Sequence, residues 1–109
     1  MANEFKIKKG LIVTGASGGT VVDIQGSQGQ LFSVTDDLSG SIFAVSDISG
    51  VPILDVNSSG LSTFDGNVNL PDNKKILLGT GNDIELYHNG THSHIINNTG
   101  DLTIDSQGD

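Results

Sequence analysis

An 11-residue repeat constrains this chain more than any other feature. Leu31-Phe32-Ser33-Val34, Ile42-Phe43-Ala44-Val45 and Ile53-Leu54-Asp55-Val56 follow one another at intervals of 11 residues. Each leads into a polar turn ending in glycine: Asp36 to Gly40, Asp47 to Gly50, and Asn57 to Gly60. Val21-Val22-Asp23-Ile24 is a weaker copy at a spacing of 10, and Phe64 opens a degenerate fifth copy 11 residues after Ile53. Side chains two apart share one face of a strand, so Phe32/Val34, Phe43/Val45 and Leu54/Val56 form inward-facing pairs. Asp, Asn and Ser in the turns can bond nearby backbone, and the closing glycine accepts positive φ. Such a unit cannot bury its apolar pair alone. Copies must stack along an axis within one chain, or three chains must meet around one. A coil that encloses its own core needs roughly 18 or more residues, so a repeat of this length suits the trimer better than a single-chain solenoid.

Composition leads the same way. Ala occurs only at Ala2, Ala16 and Ala44, and Glu only at Glu4 and Glu85, so no substantial helix is expected. Apolar residues make up 35% of the 109, with four Phe, one Tyr and no Trp. A lone chain would bury a thin core, which oligomerisation can remedy. There is no Cys, so neither a disulfide framework nor a thiolate metal site is available. The net charge is −8, and Lys6, Lys8 and Lys9 lie in the first nine residues. The acidic remainder argues against nucleic-acid binding, which needs a basic face, and favours solubility. No apolar run is long enough for a membrane helix, and Met1 to Lys9 lacks a signal-peptide apolar region. Synthesis in the cytosol without a Sec-type signal is the expectation.

Three regions are expected. Residues 1–20 read as an N-terminal β-element, with Phe5 and Ile7 alternating and Leu11-Ile12-Val13 following Gly10, and could serve attachment. Residues 21–66 are the repetitive shaft. Residues 67–109 read as a β-meander, with strands at Val68-Asn69-Leu70, Ile76-Leu77-Leu78, Ile84 to His88, His92 to Ile96 and Leu102-Thr103-Ile104. Asn89-Gly90 is a strong hairpin signal for a two-residue type I′ turn, both of whose central residues take positive φ.

Gln30-Leu31-Phe32-Ser33-Val34 and Ile42-Phe43-Ala44-Val45-Ser46-Asp47 resemble shaft repeats of tail-fibre proteins from tailed bacteriophages, especially marine T-even-like phages. Leu70-Pro71-Asp72-Asn73-Lys74-Lys75-Ile76, Gly79 to Asp83 and Ile84 to Gly90 carry the same resemblance, which covers roughly residues 20–105. It implies a homotrimeric, fibrous virion component that touches other tail proteins and links the particle to a host surface receptor. Such fibres often continue into a receptor-binding tip or a self-cleaving trimerisation chaperone, and Asp105 to Asp109 is merely polar. A fragment of a longer fibre, or a short fibre that trimerises otherwise, is expected.

Motifs that carry chemistry fail on inspection. Leu11 to Gly19 resembles the nucleotide-binding start of short-chain dehydrogenases, but Val21 stands at the last glycine position and no helix can follow. Tyr87 is the only Tyr, and no Lys follows it. Gly79-Thr80-Gly81 lacks a third glycine and reads as a turn. The turn Asp residues are too sparse for a calcium loop and suit turn capping. Asn57-Ser58-Ser59, Asn89-Gly90-Thr91 and Asn97-Asn98-Thr99 match the glycosylation sequon, read without a secretory signal as Asn-rich turns. His92-Ser93-His94 on a strand would place two imidazoles on one face, where three chains could surround a metal. The alternatives are a solvent face or packing beside Tyr87, and no metal or other cofactor is assigned.

The sequence therefore reads as an all-β, elongated, repetitive protein. An interwoven homotrimeric β-helix or β-prism with a C-terminal β-meander is the expected architecture, without catalytic residues, nucleic-acid binding or membrane insertion. The competing reading is a β-module that binds a receptor or glycan through the Tyr87–His94 hairpin.

Overall fold

The computed structural model describes residues 3–108. Among them there is no helix, and every strand pairing is antiparallel. The chain divides into two compact units, Met1–Asn67 and Val68–Asp109.

The first unit is a five-stranded meander: β1 (Thr20–Gln25), β2 (Gln30–Thr35), β3 (Ser41–Ser46), β4 (Pro52–Asn57) and β5 (Ser62–Phe64). One repeat is thus one strand plus one turn, and successive copies pair edge to edge. That does not match the single-chain solenoid, the less favoured reading of the repeat, whose coils would stack copies rather than fold them back on one another. Pro52 opens its strand, where its missing N–H costs least. The register sets Phe32 opposite Val45, Val34 opposite Phe43, Val45 opposite Leu54, and Phe43 opposite Val56. The inward pairs read from the repeat therefore share one face. Ile24 joins it opposite Phe32, and Phe64 joins opposite Leu54. Phe64 thus falls in register with Leu54 rather than with Ile53. The other face carries a row of small and polar residues, Asp23, Ser33, Ala44, Asp55 and Thr63.

The turns follow their chemistry. Gly40, Gly50 and Gly60 have φ of 88°, 89° and 93°, the left-handed region that the repeat assigns to its closing glycine. Asp47 Oδ1 accepts from Ser49 N at 2.9 Å, Ser49 Oγ at 2.6 Å and Val51 N at 3.0 Å. The Ser49 hydroxyl, then the Val51 amide, hold the Asp47 carboxyl below its ordinary value. Ten residues on, Asn57 Oδ1 accepts from Ser59 N in the same manner. Because a meander alternates ends, every second turn lies side by side. Ser58 Oγ donates to the Leu38 carbonyl at 3.1 Å, and Gly29 lies against Ser49 so closely that a Cβ there would sit 2.8 Å from its carbonyl.

Within the first unit, the described residues form a single sheet whose apolar face is only partly buried. Among the described residues Ala44, 5% exposed, is the one buried apolar residue, while Phe32, Val34, Phe43 and Val45 are half-buried. Leu38 and Ile48, at turn tips, are exposed. The chain exposes 8930 Å², about 2,000 Å² more than two well-packed globules of these units' sizes would. A sheet that is apolar on one face ordinarily buries it against another layer.

The second unit is a three-stranded meander: β6 (Ile76–Leu78), β7 (Ile84–His88) and β8 (Ser93–Asn97). Ile76, Leu78, Ile84, Leu86 and Ile95 share one face, of which Ile95 is 69% exposed. Leu77, Glu85, Tyr87, His94 and Ile96 share the other.

Several expected strands are absent. No strand occurs over residues 3–19, so the N-terminal β-element does not form among the described residues, and Met1 and Ala2 lie outside them. Val68-Asn69-Leu70 and Leu102-Thr103-Ile104 are also strandless. Each has a strand-like composition but no partner strand among the described residues, and pairing is what makes a strand.

Candidate functional site

The hairpin of β7 and β8 gathers the most side-chain chemistry. Alternation along Ile84–His88 brings Glu85 and Tyr87 to one face, and the register sets His94 directly opposite Tyr87. Their rings stack, 4.7 Å between centroids and 15° between planes. Lys75 Nζ lies 4.6 Å from the centre of the Tyr87 ring, within cation–π range. The same ammonium donates to Glu85 Oε1 at 2.8 Å. This bond raises the Lys75 pKa and lowers that of Glu85, which Asn98 Nδ2 also approaches at 3.4 Å.

The loop departs from expectation. Asn89-Gly90 is not a two-residue type I′ turn. The strands close at His88 and Ser93, leaving four loop residues, and only Gly90 has positive φ, 96°. The Asn89 side chain explains the difference. Its Oδ1 accepts from Thr91 N at 2.9 Å and His92 N at 2.7 Å, while Asn89 N donates to the His92 carbonyl at 3.0 Å. The side chain closes the loop in place of backbone.

His92 consequently lies in the loop and not on the strand, so the strand geometry behind the His92/His94 pairing is not met. His94 takes the alternative place, beside Tyr87, with its Nε2 3.1 Å from Asn89 Nδ2. Among the described residues no three His, Asp or Glu side chains gather as a metal site.

The Pro71 to Lys75 turn docks against the hairpin, which sequence reasoning missed. Asn73, in the left-handed region at φ 66°, donates its N–H to the His88 carbonyl at 2.7 Å. Asp72 Oδ1 lies 3.1 Å from His88 Nδ1, and Gly90 N donates to that same nitrogen at 3.1 Å. Nδ1 can donate to Asp72 or accept from Gly90, but not both at once. Beside this corner an open groove of about 320 Å³ is lined by Leu70, Lys74, Tyr87 and His88 among others. An aromatic stack flanked by an ammonium, an amide and imidazoles is equipped to recognise a polar ligand.

Among the described residues no helix is long and apolar enough to cross a membrane. Comparison with protein-family models, with curated proteins and with solved structures finds no match.

Proposed function

We propose that this chain is a non-enzymatic structural segment of a viral tail fibre, assembled as a homotrimer that links the virion to the host surface. The observation that carries the reading is the half-buried apolar face of the five-stranded sheet, repeated strand after strand by Phe32/Val34, Phe43/Val45 and Leu54/Val56. Three such faces turned toward one axis would form a β-prism, each repeat adding a buried layer. The strands from β1 to β5 already find partners within one chain, which favours sheets set side by side over strands exchanged between chains. The net charge of −8 would keep neighbouring fibres apart. Other tail proteins are the partners the fibre reading implies, in a virion built in the host cytoplasm. Immunogold labelling of purified particles with antibody to this chain tests the placement. Label along tail fibres supports it, and label elsewhere or none removes it.

A second reading rests on the Tyr87–His94 stack with Lys75 and Asn89 beside it. It makes the hairpin a contact for a host glycan or protein. Replacing residues 87–94 should then abolish cell binding while leaving the oligomeric state intact.

A further inference from the structure

Asn-Gly is the dipeptide in which a backbone nitrogen most readily attacks the preceding side-chain amide, because glycine offers no Cβ to obstruct it. In this hairpin three groups around Asn89 and Gly90 bear on that reaction. The nucleophile is Gly90 N, whose hydrogen is already directed at His88 Nδ1, 3.1 Å away. The electrophile is the Asn89 amide carbon. Its oxygen accepts two backbone N–H bonds, from Thr91 at 2.9 Å and His92 at 2.7 Å. Two donors fix that atom as oxygen, and they sit where a developing oxyanion would need them. The leaving group is Nδ2, turned toward His94 Nε2 at 3.1 Å, an acceptor that holds the amide in this orientation. His88, Asn89 and Gly90 are all exposed, so water reaches the site.

We propose that Asn89-Gly90 is a self-modification site, at which the folded hairpin promotes its own deamidation with His88 as the base. Gly90 N loses its proton to His88 Nδ1 and bonds to Asn89 Cγ. The Cγ–Nδ2 bond breaks, and Nδ2 departs as ammonia, its last proton returned through solvent. Asp72 Oδ1 lies 3.1 Å from the same imidazole nitrogen and can accept a hydrogen bond from the proton that nitrogen has taken up. Water then opens the cyclic imide to aspartate or isoaspartate. No electrons are exchanged, and the net change is amide plus water to carboxylate plus ammonium. The product adds a negative charge at the hairpin tip and removes the Nδ2 contact to His94. In its isoaspartyl form it lengthens the loop backbone by a methylene, displacing Thr91 and His92. The inference stands independently of the assembly reading.

The test is peptide mapping by mass spectrometry during incubation at neutral pH. The intact protein, its His88→Gln variant and a synthetic peptide of residues 84–97 are followed together. Residue 89 should gain about 1 Da, through an imide about 17 Da lighter than the starting amide. Conversion in the folded protein should outpace the peptide by at least ~10-fold, a modest share of what a positioned base supplies. His88→Gln should bring the rate back toward the peptide's. A peptide as fast as the folded protein, or a His88→Gln rate equal to the parent's, overturns the proposal.

Discussion

Phe32 and Phe43 meet edge to face, their ring centroids 5.3 Å apart and their planes at 87°. They sit diagonally on adjacent strands, on the apolar face of the five-stranded sheet. An aromatic pair of this geometry contributes about 0.5–1.5 kcal/mol beyond the area it buries. Both rings are only half-buried in the single chain, so a partner layer would bury the area that is still exposed.

Phe43 substitutions separate a buried layer from a wet surface. If three sheets enclose it, Phe43→Ala should cost about 3–5 kcal/mol per chain, as truncation of a core aromatic does. Phe43→Asp should prevent assembly outright, because three carboxylates would crowd one layer. Chemical denaturation of the first variant and the solution mass of the second are the measurements. A soluble, stable trimer of Phe43→Asp would contradict the axial placement.

Glycine substitutions should rank by what surrounds them. Gly40 has positive φ but open space, so Gly40→Ala should cost about 1–2 kcal/mol of backbone strain. Gly29 lacks positive φ but abuts the Ser49 backbone, which cannot yield as a side-chain tip can. Gly29→Ala should therefore lower the melting temperature more than Gly40→Ala, and thermal melts followed by circular dichroism will show the order.

Asp47 and Asn57 cap equivalent turns. Asp47→Asn should lower the melting temperature only slightly, since Asn57 shows that an amide oxygen keeps the bond to the N–H two residues on, though not those Asp47 makes to the Ser49 hydroxyl and the Val51 amide. Asp47→Ala leaves the Ser49 and Val51 donors to water and should lower the melting temperature by a few degrees. Equal melting temperatures for the two variants would deny the capping role.

The Lys75–Glu85 pair sets a pH window for the second unit. The Glu85 carboxyl is held below its ordinary 4.5 by the Lys75 bond, so its contribution is present above that value. It is lost as pH falls through the lowered folded value. The Lys75 ammonium is held above its ordinary 10.5, so its contribution is present below that value and disappears as pH rises past the raised one. Stability of the hairpin, read from Tyr87 and His94 resonances, should be flat between these limits and fall outside both. Glu85→Gln should remove the acid-side fall.

The strand faces were legible because the repeat spaced Phe32/Val34, Phe43/Val45 and Leu54/Val56 with period two and marked every turn with Gly. The folding-back of successive copies was not, since an 11-residue period suits one strand plus turn as well as one segment of a trimeric coil. Leu11 to Val13, Val68 to Leu70 and Leu102 to Ile104 look like strands residue by residue, yet pairing depends on a partner distant in sequence. In the hairpin, apolar alternation brought Glu85 and Tyr87 together. The Asn89 side chain, by outcompeting the two-residue turn, moved His92 off the strand. Lys75 and Asp72 joined the site through a loop whose docking leaves no periodic trace.

Molar mass in solution by light scattering, with far-ultraviolet circular dichroism on the same sample, tests the central claim most directly. The account predicts a mass of three chains and a β spectrum. A folded β monomer would contradict it, leaving the apolar face exposed to water and the hairpin reading as the better account of function.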